Sequence, residues 1–165
     1  MTNDSSDKLR FLPVGLDVRG KNCLVVGGGA VGTRKALTLS RAGASVLVVS
    51  PTVTKELADQ IEAGCIRWLR DSFQEAHLDG VFLVVAASDD DSLNAAVVRL
   101  AAESGALMCD ASSAERSGVI FAALLQHDDV TVAVFTDGRD PAQAARTRDQ
   151  IADLLAAARR SKPRT

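Results

Sequence analysis

The sequence predicts an α/β protein: a mostly parallel sheet of Rossmann type, with helices on both faces and an antiparallel hairpin at one edge. Three observations carry that prediction. Short, unbroken apolar runs alternate with stretches of helical periodicity, the pattern of βαβ units with right-handed crossovers. A cluster of glycines falls between the first apolar run and the first helical stretch. Aromatic residues make up only 4% of the 165 residues, with no Tyr and one Trp. Val, Leu, Ile and Ala must therefore build the core, which suits a sheet covered on both sides.

The elements follow in order. Residues 1–10 read as a polar, disordered tail, and Phe11-Leu12-Pro13-Val14 as an apolar lead-in. Gly20-Lys21 turns the chain into a first strand, Asn22 to Val26, apolar after Asn22 as expected for a strand buried on both faces. A helix runs to about Arg41, and Ala42-Gly43-Ala44 ends it. Ser45 to Val49 is a second strand, stopped by Pro51; a helix over about Val53 to Ala63 and a strand over Cys65 to Leu69 come next. Val81 to Ala86 is a strand. Ser88, with an acid three residues on, reads as a helix cap, and Leu93, Ala96, Val97, Leu100 and Ala101 form a one-sided apolar stripe. Leu107 to Cys109 leads to Asp110. Val119 to Leu125 and Val130 to Phe135 are close enough to pair as a hairpin, making the sheet mixed at that edge. Asp140-Pro141 with Gln143 opens the last helix, whose buried side carries Ile151, Leu154, Leu155 and Ala158. Residues 11–160 are thus read as one dinucleotide-binding domain and 161–165 as a basic tail.

The spacing Gly27-x-Gly29-x-x-Gly32 sits between a buried strand and a helix. Gly27 allows the tight turn, Gly29 lets a pyrophosphate approach the backbone, and Gly32 lets the helix pack closely on the sheet. The helix N-terminus offers free N–H groups and a positive dipole to phosphates. The acid expected ~20 residues on, at the end of the second strand, is missing. Val48-Val49-Ser50-Pro51 stands there. Ser50 can hydrogen-bond a ribose hydroxyl but brings no charge, and no Arg adjoins it in sequence to bind a 2′-phosphate. NAD is favoured over NADP.

Composition excludes several classes. A net charge of −2 from 19 basic and 21 acidic residues argues against a general nucleic-acid binder. Cys23, Cys65 and Cys109 show no metal or disulfide spacing, which points to a reducing cytoplasm. No run of ~18 apolar residues suggests a membrane span. His77 and His127 lie far apart and do not suggest a metal site, and Asp89-Asp90-Asp91 is explained by the helix dipole.

The segment Leu24 to Lys35, with its triple glycine followed by Arg34-Lys35, then Ala42-Gly43-Ala44 and Val48 to Pro51, resembles the precorrin-2 dehydrogenase family, which includes the N-terminal domain of sirohaem synthase. Leu83 to Asp90 with Asn94, and Val132 to Gly138 with Pro141, match further segments of that family in the right order. The resemblance runs from Phe11 to about Arg160. It departs at Leu107, where the family carries Asn, and at Ala111 to Gly118, which is about two residues longer and lacks a proline. Asp137 and Arg139 also replace smaller residues, and the family's helical extension does not follow the last helix.

The resemblance implies NAD-dependent oxidation of precorrin-2 to sirohydrochlorin in sirohaem biosynthesis and a cytoplasmic homodimer; some family members also insert ferrous iron, an activity that the departures of this chain argue against. It implies cofactor contacts from Gly27, Gly29, Ala30, Val31, Gly32, Ser50, Pro51, Ala87 and Ser88. Asp110 is the implied acid/base residue, because a carboxylate at the carboxyl end of a parallel strand faces the ligand crevice; it could instead cap the turn after it. Precorrin-2 carries eight carboxylates, so Arg34, Lys35, Arg116 and Arg139 could steer it, although each also reads as solvated surface. Ser112, Ser113 and Thr136 complete the substrate set, the serines serving either propionates or turns. Two other functions fit the residues: a nucleotide-sensing regulatory module like those of potassium channels, and a non-catalytic tetrapyrrole-binding relative.

Overall fold

A computed structural model describes residues 9–161. The expected tail, apart from its last two residues, and nearly all of the basic terminus lie outside the described residues. The chain forms two compact units, one spanning Gly15–Val119 and the other combining the residues up to Val14 with those from Ile120 onward.

The first unit holds five strands: β1 (Asn22–Val26), β2 (Ser45–Val49), β3 (Arg67–Leu69), β4 (Leu83–Ala86) and β5 (Leu107–Asp110). They lie in the order β3-β2-β1-β4-β5, and every pairing is parallel. Three helices cross over between them: α1 (Ala30–Arg41), α2 (Lys55–Glu62) and α3 (Asp91–Glu103). The central strands β1 and β4 are buried from Cys23 to Val26 and from Leu83 to Ala86, as their unbroken apolar runs require. Leu24, Val26, Val84 and Ala86 pack with Val97, Val98 and Ala101 of α3, so the apolar stripe read from the sequence is the buried face of that helix. Between α2 and β4, residues Glu75–Leu78 form a short 3-10 turn that periodicity did not reveal.

Three expectations are corrected. Leu154, expected on the buried side of the last helix, is 70% exposed. The N-cap of α3 is Asp90, whose Oδ1 accepts from the N–H groups of Ser92 and Leu93; Ser88 lies two residues too early and serves the loop instead. The hairpin forms, as β6 (Ala123–His127) and β7 (Val130–Val134), but as a two-stranded antiparallel sheet of its own. The five-stranded sheet is therefore wholly parallel. Proximity in sequence predicted the β6–β7 pairing correctly, but it carries no information on whether β6 also finds β5. In that second unit α4 (Pro141–Ser161) starts where expected, with the Gln143 N–H donating to Asp140 Oδ1 at 2.8 Å. The carboxylate of Asp137, a residue with φ of 58°, accepts from the backbone N–H groups of Arg10 and Phe11. Among the described residues no helix is long and apolar enough to cross a membrane.

Candidate functional site

Strand register sets the site. Val26 pairs with both Val49 and Ala86, and Ala86 pairs with Asp110. The residues that follow, Gly27, Ser50, Ala87 and Ala111, therefore leave the sheet along one edge. Helix α1 follows β1 toward β2 while β4 lies on the other side, so the order reverses between β1 and β4. Ligands of open parallel sheets bind outside such a reversal.

The glycine turn is shaped by backbone on three sides. Gly27 has φ of 114°, and a Cβ there would stand 2.3 Å from the Ala87 carbonyl oxygen. A Cβ on Gly28 would meet the Thr52 carbonyl oxygen at 2.2 Å, and one on Gly32 the Gly27 carbonyl oxygen at 2.0 Å. Gly29 alone of the four opens to free space, with nothing within 4 Å of a Cβ. It is also the N-cap of α1 and provides no side-chain cap. The first intrahelical bond is Thr33 N–H to the Gly29 carbonyl, so the N–H groups of the first turn have no partner within the helix. An open glycine before an uncapped helix is a cradle for the pyrophosphate of a dinucleotide, and the residues present fit that group.

The cradle is braced from behind. Thr54 donates its N–H to the Gly28 carbonyl at 3.0 Å, and its hydroxyl lies 2.8 Å from that of Thr33. Ser50 is nearly buried, its Oγ packed against Gly28. No carboxylate stands at the end of β2. The fold does bring a base nearby that sequence adjacency missed: Arg70 Nε donates to the Pro51 carbonyl at 3.2 Å.

A cleft of about 210 Å³ opens in front of the turn, lined by Gly29, Ala30, Val31, Ala87, Ser88, Asp89, Asn94, Ala111 and Ser112. Five of the expected cofactor residues and one expected substrate residue thus share one cavity. In the sequence Asn94 stands out only as a family match and as a polar residue next to an apolar stripe. It is 1% exposed, and its amide brackets the β4–α3 loop. Oδ1 accepts from Ser88 N–H at 3.0 Å and from its hydroxyl at 2.8 Å, while Nδ2 donates to the Ser88 carbonyl at 2.9 Å.

Asp110 does not line the cleft. Its side chain is 0% exposed, and both oxygens are engaged. Oδ1 accepts from the Ser112 hydroxyl at 2.6 Å and the Ser112 N–H at 2.9 Å; Oδ2 accepts from Arg116 Nε at 2.6 Å. The far end of the Arg116 guanidinium pairs with Asp91 at the start of α3. Burial pushes the Asp110 carboxyl up, but the Ser112 and Arg116 bonds outweigh it and hold the group below the usual carboxylate range. Arg116, then Ser112, hold Asp91 low as well. The other expected residues lie elsewhere. Ser113 serves the turn, its hydroxyl accepting from the Arg116 N–H and its carbonyl from Ser117. Arg34 and Lys35 lie on α1 outside the cleft lining, and burial pushes the Lys35 ammonium down. Thr136 belongs to the other unit, where its hydroxyl donates to the Asp140 carbonyl at 2.8 Å. Among the described residues no three His, Cys, Asp or Glu side chains group as a metal site.

This strand order, with a glycine turn opening an uncapped helix at the reversal, defines a Rossmann-type dinucleotide-binding domain. The comparisons with known proteins agree. Residues 14–123 match the family described as "Putative NAD(P)-binding", and the chain belongs to that family. It is 39% identical to siroheme synthase 1 of Pectobacterium atrosepticum over 149 residues, 90% of this chain and 31% of that protein. It is 40% identical to the siroheme synthase of Chromobacterium violaceum, covering 90% of this chain and 32% of that one. The chain thus spans about a third of the length of these relatives. Among solved structures it is similar to SirC, a precorrin-2 dehydrogenase, with TM-score 0.76 and 29% identity, covering 87% of this chain and 71% of that one.

Proposed function

We propose that the chain is an NAD-dependent dehydrogenase that oxidises precorrin-2 to sirohydrochlorin. The observation that carries this reading is the register Val26–Ala86–Asp110, which sets the dinucleotide cradle and a buried carboxylate on one sheet edge. The likeness to SirC and to the siroheme synthases supports the substrate. Bound NAD supplies the hydride acceptor. The protein's own residues do the rest. The first-turn N–H groups of α1 hold the pyrophosphate. Ala87, Ser88 and Asn94 form a stiff wall toward the ring that reacts. Asp110, kept ionised by its bonds from Ser112 and Arg116, lies behind Ser112 of the cleft wall and accepts the proton that must leave together with the hydride. The neutral Ser50 beside Pro51 takes a ribose hydroxyl, in keeping with NAD as cofactor. Arg34, Lys35, Ser112, Ser113 and Arg116 belong to the proposal as carboxylate or propionate contacts. We read the protein as cytoplasmic and as a homodimer; light scattering on the purified chain tests the dimer.

The test of function is anaerobic incubation with precorrin-2 and NAD, following reduced nicotinamide and the macrocycle spectrum together. Both change in step with the wild-type chain, and Asp110→Ala abolishes the change while still binding NAD. Tetrapyrrole binding without any reduced nicotinamide would mark the chain as a non-catalytic carrier.

A further inference from the structure

Asp110 has no surface facing the cleft, whereas Ser112, two residues on, is exposed there and joined to it by the short 2.6 Å bond. We propose that the Ser112 hydroxyl is the group that takes the substrate's proton, with Asp110 acting through it; this rests on the dehydrogenase reading above.

The geometry of the hydroxyl is that of a relay. Ser112 Oγ lies 2.6 Å from Asp110 Oδ1 and 3.1 Å from Asp91 Oδ1. It lies 3.4 Å from Asn94 Nδ2 and 3.3 Å from Arg116 Nη2. A serine hydroxyl has one proton to donate and two lone pairs. The carboxylate at 2.6 Å takes that proton, while Asn94 Nδ2 and Arg116 Nη2, at 3.4 and 3.3 Å, bond more closely to Ser88 and Asp91 and leave a lone pair for the substrate's proton. Of the two carboxylates, Asp110 is the nearer and the better shielded. The backbone N–H of Ser112 and Arg116 Nε hold the Asp110 carboxylate independently of the hydroxyl. The hydroxyl is therefore not needed to keep Asp110 in place.

The step balances as follows. One C–H bond of the macrocycle breaks, and its electron pair leaves as hydride to NAD. A second hydrogen leaves as a proton to Ser112 Oγ, its bonding pair remaining as part of the new double bond. In the same step the hydroxyl's original proton passes to Asp110 Oδ1. The proton then returns through Ser112 Oγ to Asp91, whose side chain is 69% exposed, and so to water. Both carboxylates sit below the usual range, so neither retains the proton at neutral pH.

The test compares Ser112→Ala, Ser112→Thr, Asp110→Asn and the Ser112→Ala/Asp110→Asn double variant with wild type in the precorrin-2 and NAD assay. Ser112→Ala lowers kcat by about 100-fold, the scale of one lost acid/base group. Its KM stays within about threefold and threonine restores most of the rate. The double variant is no slower than the slower single one, because the pair acts as a unit. Separately, and without substrate, the carboxyl ¹³C titration of Asp110 shifts to higher pH in Ser112→Ala. A Ser112→Ala chain with unchanged kcat, or with a loss confined to KM, overturns the relay and leaves the dehydrogenase standing. An unshifted Asp110 titration also overturns it. A wild-type chain that never reduces NAD overturns both.

Discussion

Two glycines three residues apart are predicted to fail in opposite ways when each becomes alanine. At Gly32 the new methyl would lie 2.0 Å from the Gly27 carbonyl oxygen and 2.9 Å from its carbon. Both are backbone atoms of the same rigid turn, so relief requires α1 to lift off the sheet. Overpacking of that kind costs about 1–3 kcal/mol, and this contact belongs at the upper end. At Gly29 the methyl meets nothing within 4 Å, and φ of −73° with ψ of −173° suits alanine. Alanine is a poorer N-cap than glycine, while its unfolded chain has less entropy to lose; these terms oppose, leaving a net effect within about 1 kcal/mol. The methyl does, however, project into the cleft where the pyrophosphate must touch backbone. Losing one charge-assisted N–H contact at about 1.5–3 kcal/mol weakens NAD by about tenfold to somewhat over a hundredfold. Urea unfolding measures the first quantity and calorimetric titration with NAD the second. Gly29→Ala should keep its unfolding midpoint and lose affinity. Gly32→Ala should lose the midpoint. A Gly29→Ala chain with wild-type NAD affinity would refute the cradle.

Other expectations are narrower. Asn94→Ala removes four bonds from a buried loop bracket and should lower stability by about 2 kcal/mol, read from the urea midpoint. Asp110 is held below its ordinary value of 3.8 in the fold, so the native state releases its proton more readily than the unfolded chain. The stabilisation is complete above that value and is lost as pH falls through the folded pKa. Arg116→Gln should therefore move acid unfolding to higher pH, followed by circular dichroism. Burial pushes the Cys23 thiol up from 9.0 to about 11, so there the native state keeps its proton longer. Stability should fall as pH rises from 9 toward 11. Cys23→Ala should flatten that slope, and an unchanged slope would contradict the cause given.

Much of this was legible in the residues because local chemistry dictated it. β1 and β4 announce themselves as apolar runs since they are buried on both faces. The glycine turn could be read job by job, and the clashes at Gly27 and Gly32 match the roles assigned from spacing. What sequence could not supply was long-range pairing. Nothing near Asp110 says that Arg116 will span it and Asp91, because that bridge closes only when β5 is laid beside β4 and the start of α3. For the same reason Asp110 reads as facing the crevice, while in the fold Ser112 is the exposed member of the pair. Arg70 reaches Pro51 only because β3 lies beside β2. That the hairpin forms a sheet of its own likewise rests on pairing that sequence distance does not encode. Ser88 reads as a cap because Ser and Asp are interchangeable at that position and Ser88 to Asp91 offers four candidates in a row.

The most direct test of the central claim is a calorimetric titration of the purified wild-type chain with oxidised NAD. One saturable site per chain is predicted, with the affinity lost in Gly29→Ala while its unfolding midpoint is kept. No heat of binding with either oxidised or reduced cofactor, from a chain shown to be folded, would contradict the account at its base.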